Sequence, residues 1–323
     1  MSGATPIDGK DEVMRAVRRA SDGVRVVDVD LPRGDGVVVS VEVAGICGSD
    51  VHMLAMGPSP ITMGHEFGGR LADGTLVAVR PTGMCGICRM CTSGRSNICP
   101  DAMARFFGGV LDGGFADQVL VDPNCIFPMP VGATPGAAAL AEPIAVAVHG
   151  VRRVDLARGH KVAVIGAGSV GLAVVAVLAH LGVEAHVEAR YDHQRRAVEA
   201  LGGSVGVRGR YDVVFDAVGS QSAIDNAVRA CETGGSIVEL GVFWDDVALR
   251  RDLTLREISL LPAVFYAHGH DDNDFATAIR VLHETPRIEE ILVTHRFPLD
   301  EARRAFEVAT DRASGALKVH LVV

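Results

Sequence analysis

Along the first third of the chain, apolar and polar positions alternate over short runs that stop at turn residues. Met14–Ala20, Val24–Leu31 and Val37–Val43 carry this pattern, broken by Ser21-Asp22-Gly23 and by Arg33-Gly34-Asp35-Gly36. Period-two alternation puts one face of an extended segment in a core and the other in water. Gly68–Leu71, Leu76–Arg80 and Phe115–Val121 read as further strands, the last entered through Asp112-Gly113-Gly114. Many short strands between glycine- and proline-rich turns predict a small β-barrel-like domain. Thr134-Pro135 supplies an N-cap and first helical position for a short helix through Ala137–Ala141. Pro143 then predicts a fresh helix start, with Glu142 at its mouth rather than buried mid-helix.

From Lys161 the period changes. Val162–Ile165, Ala185–Glu188, Val213–Ala217 and Ser236–Leu240 read as strands, alternating with helices over Val170–Leu181, Asp192–Leu201 and Ser222–Cys231. Such alternation predicts a doubly wound parallel sheet, an α/β arrangement with helices on both faces. A helix over Asp300–Thr310 and a strand over Lys318–Val323 are expected to fold back on the first domain. The expected division is therefore 1–150 completed by 294–323, with 151–293 as the second domain. Val162 to Gly182 is apolar enough to resemble a membrane span, but it breaks at Gly166, Gly168 and Gly171. A strand, a glycine turn and a buried helix account for it better.

Charge narrows the partners. A net charge of −9 without any Lys/Arg cluster argues against nucleic acid and anionic membrane surfaces. Aromatic residues are only 5%, which disfavours a base- or sugar-stacking platform. Residues 1–13 lack an apolar run and read as a frayed tail. With no signal peptide, the seven cysteines point to metal chemistry in a reducing, cytoplasmic setting rather than to disulfides.

Four of those cysteines, Cys85, Cys88, Cys91 and Cys99, are spaced x2, x2 and x7. Cys-x2-Cys pairs bring two thiolates to one tetrahedral ion, so a structural zinc lobe is expected. A second set comprises Cys47, His65, Glu66 and Glu142: one thiolate, one imidazole and carboxylates suit a zinc with an open position. Asp50 is placed to hold the His65 imidazole, and Ser49 and His52 to pass a substrate proton to solvent. The third constellation is Gly166-Ala167-Gly168-Ser169-Val170-Gly171, with a strand before it and a helix after it. That context reads as a dinucleotide site, the pyrophosphate lying on the helix N-terminus. About eighteen residues beyond Gly171, Ala189 stands where an NAD site needs a carboxylate. Arg190, followed by Tyr191, offers a cation for a 2′-phosphate, so NADP is favoured over NAD. Glu188 falls one position early, and alternation points it to the other face. Met53, Met56, Phe106, Phe107 and Trp244 read equally well as pocket lining or as core.

Taken together, the Cys47–His52 motif, GHEF at Gly64–Phe67, the cysteine lobe, DGGFADQV at Asp112–Val119, AEPIAVAVHG at Ala141–Gly150 and GAGSVG carry a family likeness. The chain resembles the zinc-dependent medium-chain alcohol dehydrogenases, especially the polyol and secondary-alcohol branch. The resemblance implies a GroES-like β-barrel catalytic domain completed by the C-terminal segment, a Rossmann domain, and an active site between them. It implies two zinc ions per chain, the catalytic one at Cys47 and His65 with Glu66 or Glu142 as third ligand. It also implies a small alcohol or ketone substrate and a homodimer or homotetramer. One departure is plain: only about ten residues separate Leu201-Gly202 from the strand at Val213, where the family places another strand and helix. That shortening motivates a competing reading, a zinc-stabilised nucleotide-binding sensor or structural protein without turnover.

Overall fold

The alternating segments of the first third form antiparallel strands in the computed structural model, which describes residues 13–157, 159–267 and 273–323. β1 (Val13–Ala20) and β2 (Gly23–Asp30) make a hairpin that turns at Gly23, whose φ of 117° disfavours any residue with a Cβ. The tail expected over residues 1–13 lies outside the described residues except for Val13, which opens β1. β3 (Val37–Ile46) leads into a short helix α1 (Gly48–Met53). β4 (Glu66–Arg70) and β5 (Leu76–Val79) follow, then α2 (Arg89–Thr92) inside the cysteine segment. β6 (Gln118–Val121) pairs with β3, and β7 (Ile126–Pro128) pairs with β5. The strand expected from Phe115 begins only at Gln118, because Phe115 and Ala116 turn to the hairpin: the Phe115 carbonyl accepts from Val17, and Ala116 bridges Ala16. Val39, Val41, Ala44, Phe67, Val77, Val79, Val119 and Val121 form the core between these strands.

α3 (Pro135–Arg152) corrects one expectation. It runs unbroken through Pro143, and Glu142 is buried in its middle instead of standing at a helix mouth. An interior proline leaves the Ala139 carbonyl without its helical donor and costs about 3 kcal/mol. Packing wins because α3 is enclosed by the first sheet and by two later helices; Ala138 through Ala141, Ile144, Ala145, Ala147 and Val148 are all buried. Thr134 caps this helix, accepting from the Ala137 amide at 3.0 Å.

The second sheet is parallel. Its strands are β8 (Val162–Ile165), β9 (Ala185–Glu188), β10 (Ser204–Val205), β11 (Tyr211–Asp216), β12 (Cys231–Glu239) and β13 (Ser259–Pro262). They lie in the order β10-β9-β8-β11-β12-β13, the doubly wound order that reverses beside the first strand. The helices between them are α4 (Ser169–His180), α5 (Asp192–Ala200), α6 (Gln221–Ala230) and α7 (Arg251–Leu255). The shortened stretch after Leu201 still yields a strand, β10, but only as a two-residue stub, and no helix links it to β11. Val162, Val164, Val213 and Phe215 face one helical layer, while Ala163, Ile165 and Val214 face α6.

α8 (Asp274–Glu284) and α9 (Arg287–Leu292) precede β14 (Val293–Pro298), α10 (Ala302–Thr310) and β15 (Lys318–Val322). β15 pairs parallel with β14 and antiparallel with β3, with Val319 opposite Ile46. The end of the chain thus sits in the first sheet. Among the described residues, no helix is long and apolar enough to cross a membrane.

Candidate active site and nucleotide crevice

In the cysteine segment, Cys88 caps α2, and its sulfur accepts from the Cys91 amide. Gly86 and Gly94 turn the backbone with φ of 75° and 76°. The sulfurs sit 3.9 Å (Cys85–Cys91), 3.6 Å (Cys88–Cys91), 3.9 Å (Cys88–Cys99) and 3.7 Å (Cys99–Cys85) apart. A tetrahedron with Zn–S bonds of about 2.3 Å has edges of about 3.8 Å, so these four residues fit a zinc ion. Amide donors from Ile87 and Cys88 pull the Cys85 thiol down to about 7, whereas burial and its thiol neighbours push Cys91 up to about 12.

A second cluster forms where β3 ends and β4 begins. Cys47 follows the last residue of β3, His65 precedes β4, and Glu66 opens it; their ligand atoms lie within 4.8 Å of one another. Gly64 makes the approach possible, since it holds φ 94° and a Cβ there would strike the Phe115 ring at 2.4 Å. Asp50, fully buried on α1, accepts from the Cys47 amide at 2.9 Å and places its other oxygen 3.3 Å from His65 Nδ1. Burial opposes charge on His65, but Asp50 and Cys47 outweigh it and raise the imidazole well above its ordinary value. Ser49 Oγ lies 3.4 Å from His65 Nε2, on the other side of the ring. A thiolate, an imidazole and a carboxylate converging in a buried cleft are a donor set that zinc accepts.

Both carboxylate oxygens of Glu66 accept from Lys318 Nζ at 2.7 Å, and the same ammonium donates to the Ile46 carbonyl at 3.1 Å. Burial works against the charge on Lys318, yet Glu66 and Cys47 hold its pKa above the usual range. Glu142 lies outside the Cys47–His65–Glu66 set; burial raises its carboxyl to about 7. Lys318 was not among the residues the sequence singles out. Its signal was a lone charge amid the apolar run of the last strand.

His52 and Ser49 both lie on α1, three positions apart and so on one face. His52 Nδ1 donates to the Gly48 carbonyl at 2.8 Å, which leaves Nε2 to accept. Its ring stacks on Trp244 with centroids 4.7 Å apart and planes 1° from parallel. Trp244 lies beyond the carboxyl end of β12, so α1 touches the rim of the parallel sheet. The Phe106 ring stands 5.4 Å from His65. Of the other pocket candidates, Phe107 is core, Met53 is half-buried and Met56 is exposed. A surface cavity of about 850 Å³ lies beside the hairpin, lined by Arg18, Leu31, Arg33 and Leu120; of the pocket candidates only Phe107 reaches it.

The glycine loop joins β8 to α4. A Cβ on Gly171 would sit 1.9 Å from the Gly166 carbonyl, so only glycine lets the helix start this close to the strand. Gly168 caps α4 and faces open space, leaving the amides of Ser169 and Val170 free to meet a pyrophosphate. At the end of β9, Glu188 accepts from Asn226 with both oxygens at 3.0 Å and so turns toward α6. Arg190 is exposed; its amide is bonded to Gln194, and its guanidinium has no partner among the described residues. Tyr191 caps α5 and stacks on His193 at 5.5 Å.

A parallel sheet with a glycine loop at its switch point, set against a cysteine- and histidine-bearing β domain, is the build of a dinucleotide-dependent oxidoreductase. The comparisons agree. The alcohol dehydrogenase GroES-like domain matches residues 33–131, and the glucose dehydrogenase C-terminus matches residues 137–319. L-galactonate-5-dehydrogenase of Escherichia coli (strain K12) is 29% identical over 318 residues, 87% of this chain and 89% of that protein. Sorbitol dehydrogenase of Bacillus subtilis (strain 168) is 27% identical over 358 residues, covering 99% of this chain and 98% of that one. A Sinorhizobium meliloti 1021 structure, described as a candidate zinc-binding dehydrogenase bound to NADP, shares 30% identity and a TM-score of 0.85. The match covers 97% of this chain and 100% of that one. This chain belongs to the zinc-dependent medium-chain alcohol dehydrogenase family, and its activity is alcohol or polyol oxidoreduction with NAD(P).

Proposed function

We propose that the protein oxidises a secondary alcohol or polyol, or reduces the matching ketone, with two zinc ions per chain and NADP favoured over NAD. The observation that carries this reading is the His52–Trp244 stack, which brings the helix after Cys47 to the mouth of the nucleotide crevice. In open parallel sheets, ligands lie outside the carboxyl ends of the strands. A substrate held by the Cys47–His65 cluster therefore meets a nicotinamide delivered by the GAGSVG loop.

Cys85, Cys88, Cys91 and Cys99 hold the structural zinc; four thiolates leave no place for substrate. Cys47 and His65 hold the catalytic one. The third ligand is Glu66 or Glu142: Glu66 is nearer but gives both oxygens to Lys318. Bound there, zinc supplies a Lewis acid that lowers the pKa of an alcohol hydroxyl. Asp50 orients the His65 ring from its Nδ1 side, and Ser49 takes the hydroxyl proton and hands it toward His52 and solvent. Gly168, Ser169 and Val170 present amides to the pyrophosphate, while Arg190 and Tyr191 flank the adenosine. The working form is a cytoplasmic homodimer or homotetramer.

The test is a panel of polyols and secondary alcohols with each cofactor, together with metal content and a nicotinamide fluorescence titration. Ser49→Ala should cut turnover and leave the metal in place, because it removes proton transfer and not a ligand. Unchanged turnover across the pH range removes Ser49 from the relay. One observation favours a second reading: β10 is a stub and the helix after it is missing, which thins the adenosine side of the crevice. Tight nucleotide binding and full metal content without turnover of any alcohol would support a sensor instead.

A further inference from the structure

Phe265 is one of two non-glycine residues with positive φ among the described residues, at 54°. An aromatic residue in the left-handed region is strained and persists only where its surroundings over-determine it. The surroundings are specific. The side-chain amide of Asn97, which lies between Cys91 and Cys99 in the cysteine lobe, donates to the Val264 carbonyl at 3.2 Å. The same nitrogen lies 3.3 Å from His149 Nε2. Accepting there fixes the His149 tautomer, so Nδ1 carries the hydrogen and donates to Asp274 at 2.8 Å. Asp274 in turn accepts from the Ala267 amide at 2.7 Å with the same oxygen and pairs with Arg152. His149 and Asp274 are buried. The segment from Val264 to Ala267 is thus held at both ends by one network that starts on the cysteine lobe.

What that hold achieves is visible in the rings. Phe265 lies 6.0 Å from Phe106, and Phe106 lies 5.4 Å from His65. Phe106 belongs to the segment that follows the lobe, and Phe265 to the loop after β13, so two separate stretches of chain make one aromatic wall beside the metal cluster. We infer that Asn97 is a positioning residue for substrate selection: from the cysteine lobe it holds Val264–Phe265 in the turn that sets the Phe106–Phe265 wall against the reaction centre. The wall takes an apolar flank of the substrate. This role rests on the reading of Cys47 and His65 as the reaction centre, and it gives the lobe a part in specificity that a purely stabilising staple lacks.

The experiment uses the full-length, zinc-loaded enzyme. Asn97→Ala removes the donor, and Asn97→Asp keeps the shape without it; both are compared with wild type on 2-butanol and 1-phenylethanol. The ratio of kcat/KM between the two alcohols should change about tenfold in both variants, carried by KM more than by kcat. In a Phe265→Ala background the same Asn97 substitutions should leave the ratio unchanged, because the wall they position is gone. Equal effects in both backgrounds would overturn the proposal. If wild type turns over neither alcohol, the simple secondary-alcohol substrate is what fails, and amide hydrogen exchange still decides this one. Exchange at the Ala267 amide, which donates to Asp274, should accelerate about tenfold in Asn97→Ala; unchanged exchange there refutes the positioning role.

Discussion

Replacing Lys318 by methionine isolates the charge pair that Glu66 makes beside Cys47 and His65. Lys318 and Glu66 are each almost fully buried, and the ammonium donates to both carboxylate oxygens at 2.7 Å. Methionine keeps most of the volume but leaves Glu66 as a buried carboxylate without its ammonium partner. Removing one partner of a buried pair costs about 3–5 kcal/mol, most of it the desolvation of the charge left behind. An unfolding entropy of roughly 2.1 cal/mol/K per residue over 323 residues gives about 0.7 kcal/mol per degree, hence a fall in Tm of about 4–7 °C. Scanning calorimetry of chelator-treated protein reads this directly. Adding Glu66→Gln to Lys318→Met should recover most of the loss, since no charge is then stranded. Returning zinc should narrow the gap, because the freed carboxylate can turn to the metal. If metal-free Lys318→Met melts within a degree of wild type, Glu66 is not a charge that depends on this lysine, and the reasoning fails.

Three further outcomes follow from other parts of the molecule. Cys88→Ser should lower Tm and zinc content together, while a fully metallated variant that lost only turnover would place the lobe in the chemistry. Arg190→Ala should weaken NADP by about ten- to a hundredfold, the worth of a charge-assisted bond of roughly 1.5–3 kcal/mol, and leave NAD nearly untouched in a fluorescence titration; equal losses for both cofactors would remove Arg190 from 2′-phosphate recognition. At the ends of β11 and β12, burial and the neighbouring Asp216 push Glu239 up to about 9, and neither of its carboxyl oxygens has a hydrogen-bond partner. Its folded value lies above the unfolded one, so the stabilising contribution is complete below about pH 4.5 and is lost as pH rises through about 9. Glu239→Gln should match wild type in melting near pH 5 and exceed it by pH 9; parallel melting curves across that range would contradict the assignment.

Much of the architecture was legible because its signals are local. The Gly166–Gly171 loop announces a strand before it and a helix after it, and the cysteine spacing announces a four-thiolate lobe whose sulfurs do approach tetrahedral edges. Alternation found β1 and β2 to within a residue at each end and β3 without its last three residues. The misreading of α3 has a different origin. Pro143 is a local veto on helix, but enclosure by a sheet and two helices is a tertiary gain that no window of sequence contains. Lys318 and Phe265 escaped for the same reason. The first matters through Glu66, which is 252 residues away in the chain, and the second through a backbone angle that an aromatic side chain gives no sign of adopting. Even so, a charge in an otherwise apolar terminal strand was a signal available to be weighed.

The return of β15 to β3 sets an order of assembly. Ile46 and Lys318, which share a hydrogen bond, are 272 residues apart, so the first sheet cannot be finished until synthesis has passed Lys318. Contacts of such long range close slowly, because loop entropy must be met before they form. The parallel sheet between them has its pairings nearer in sequence and can fold first. The amino-terminal strands, with Glu66 still lacking its lysine, must meanwhile wait with an open edge on β3. An unfinished edge of this kind is what holdase chaperones shield and what aggregation exploits. The cluster of Cys47, His65 and Glu66, the reaction centre in the function proposed above, is therefore also among the last parts of the molecule to close.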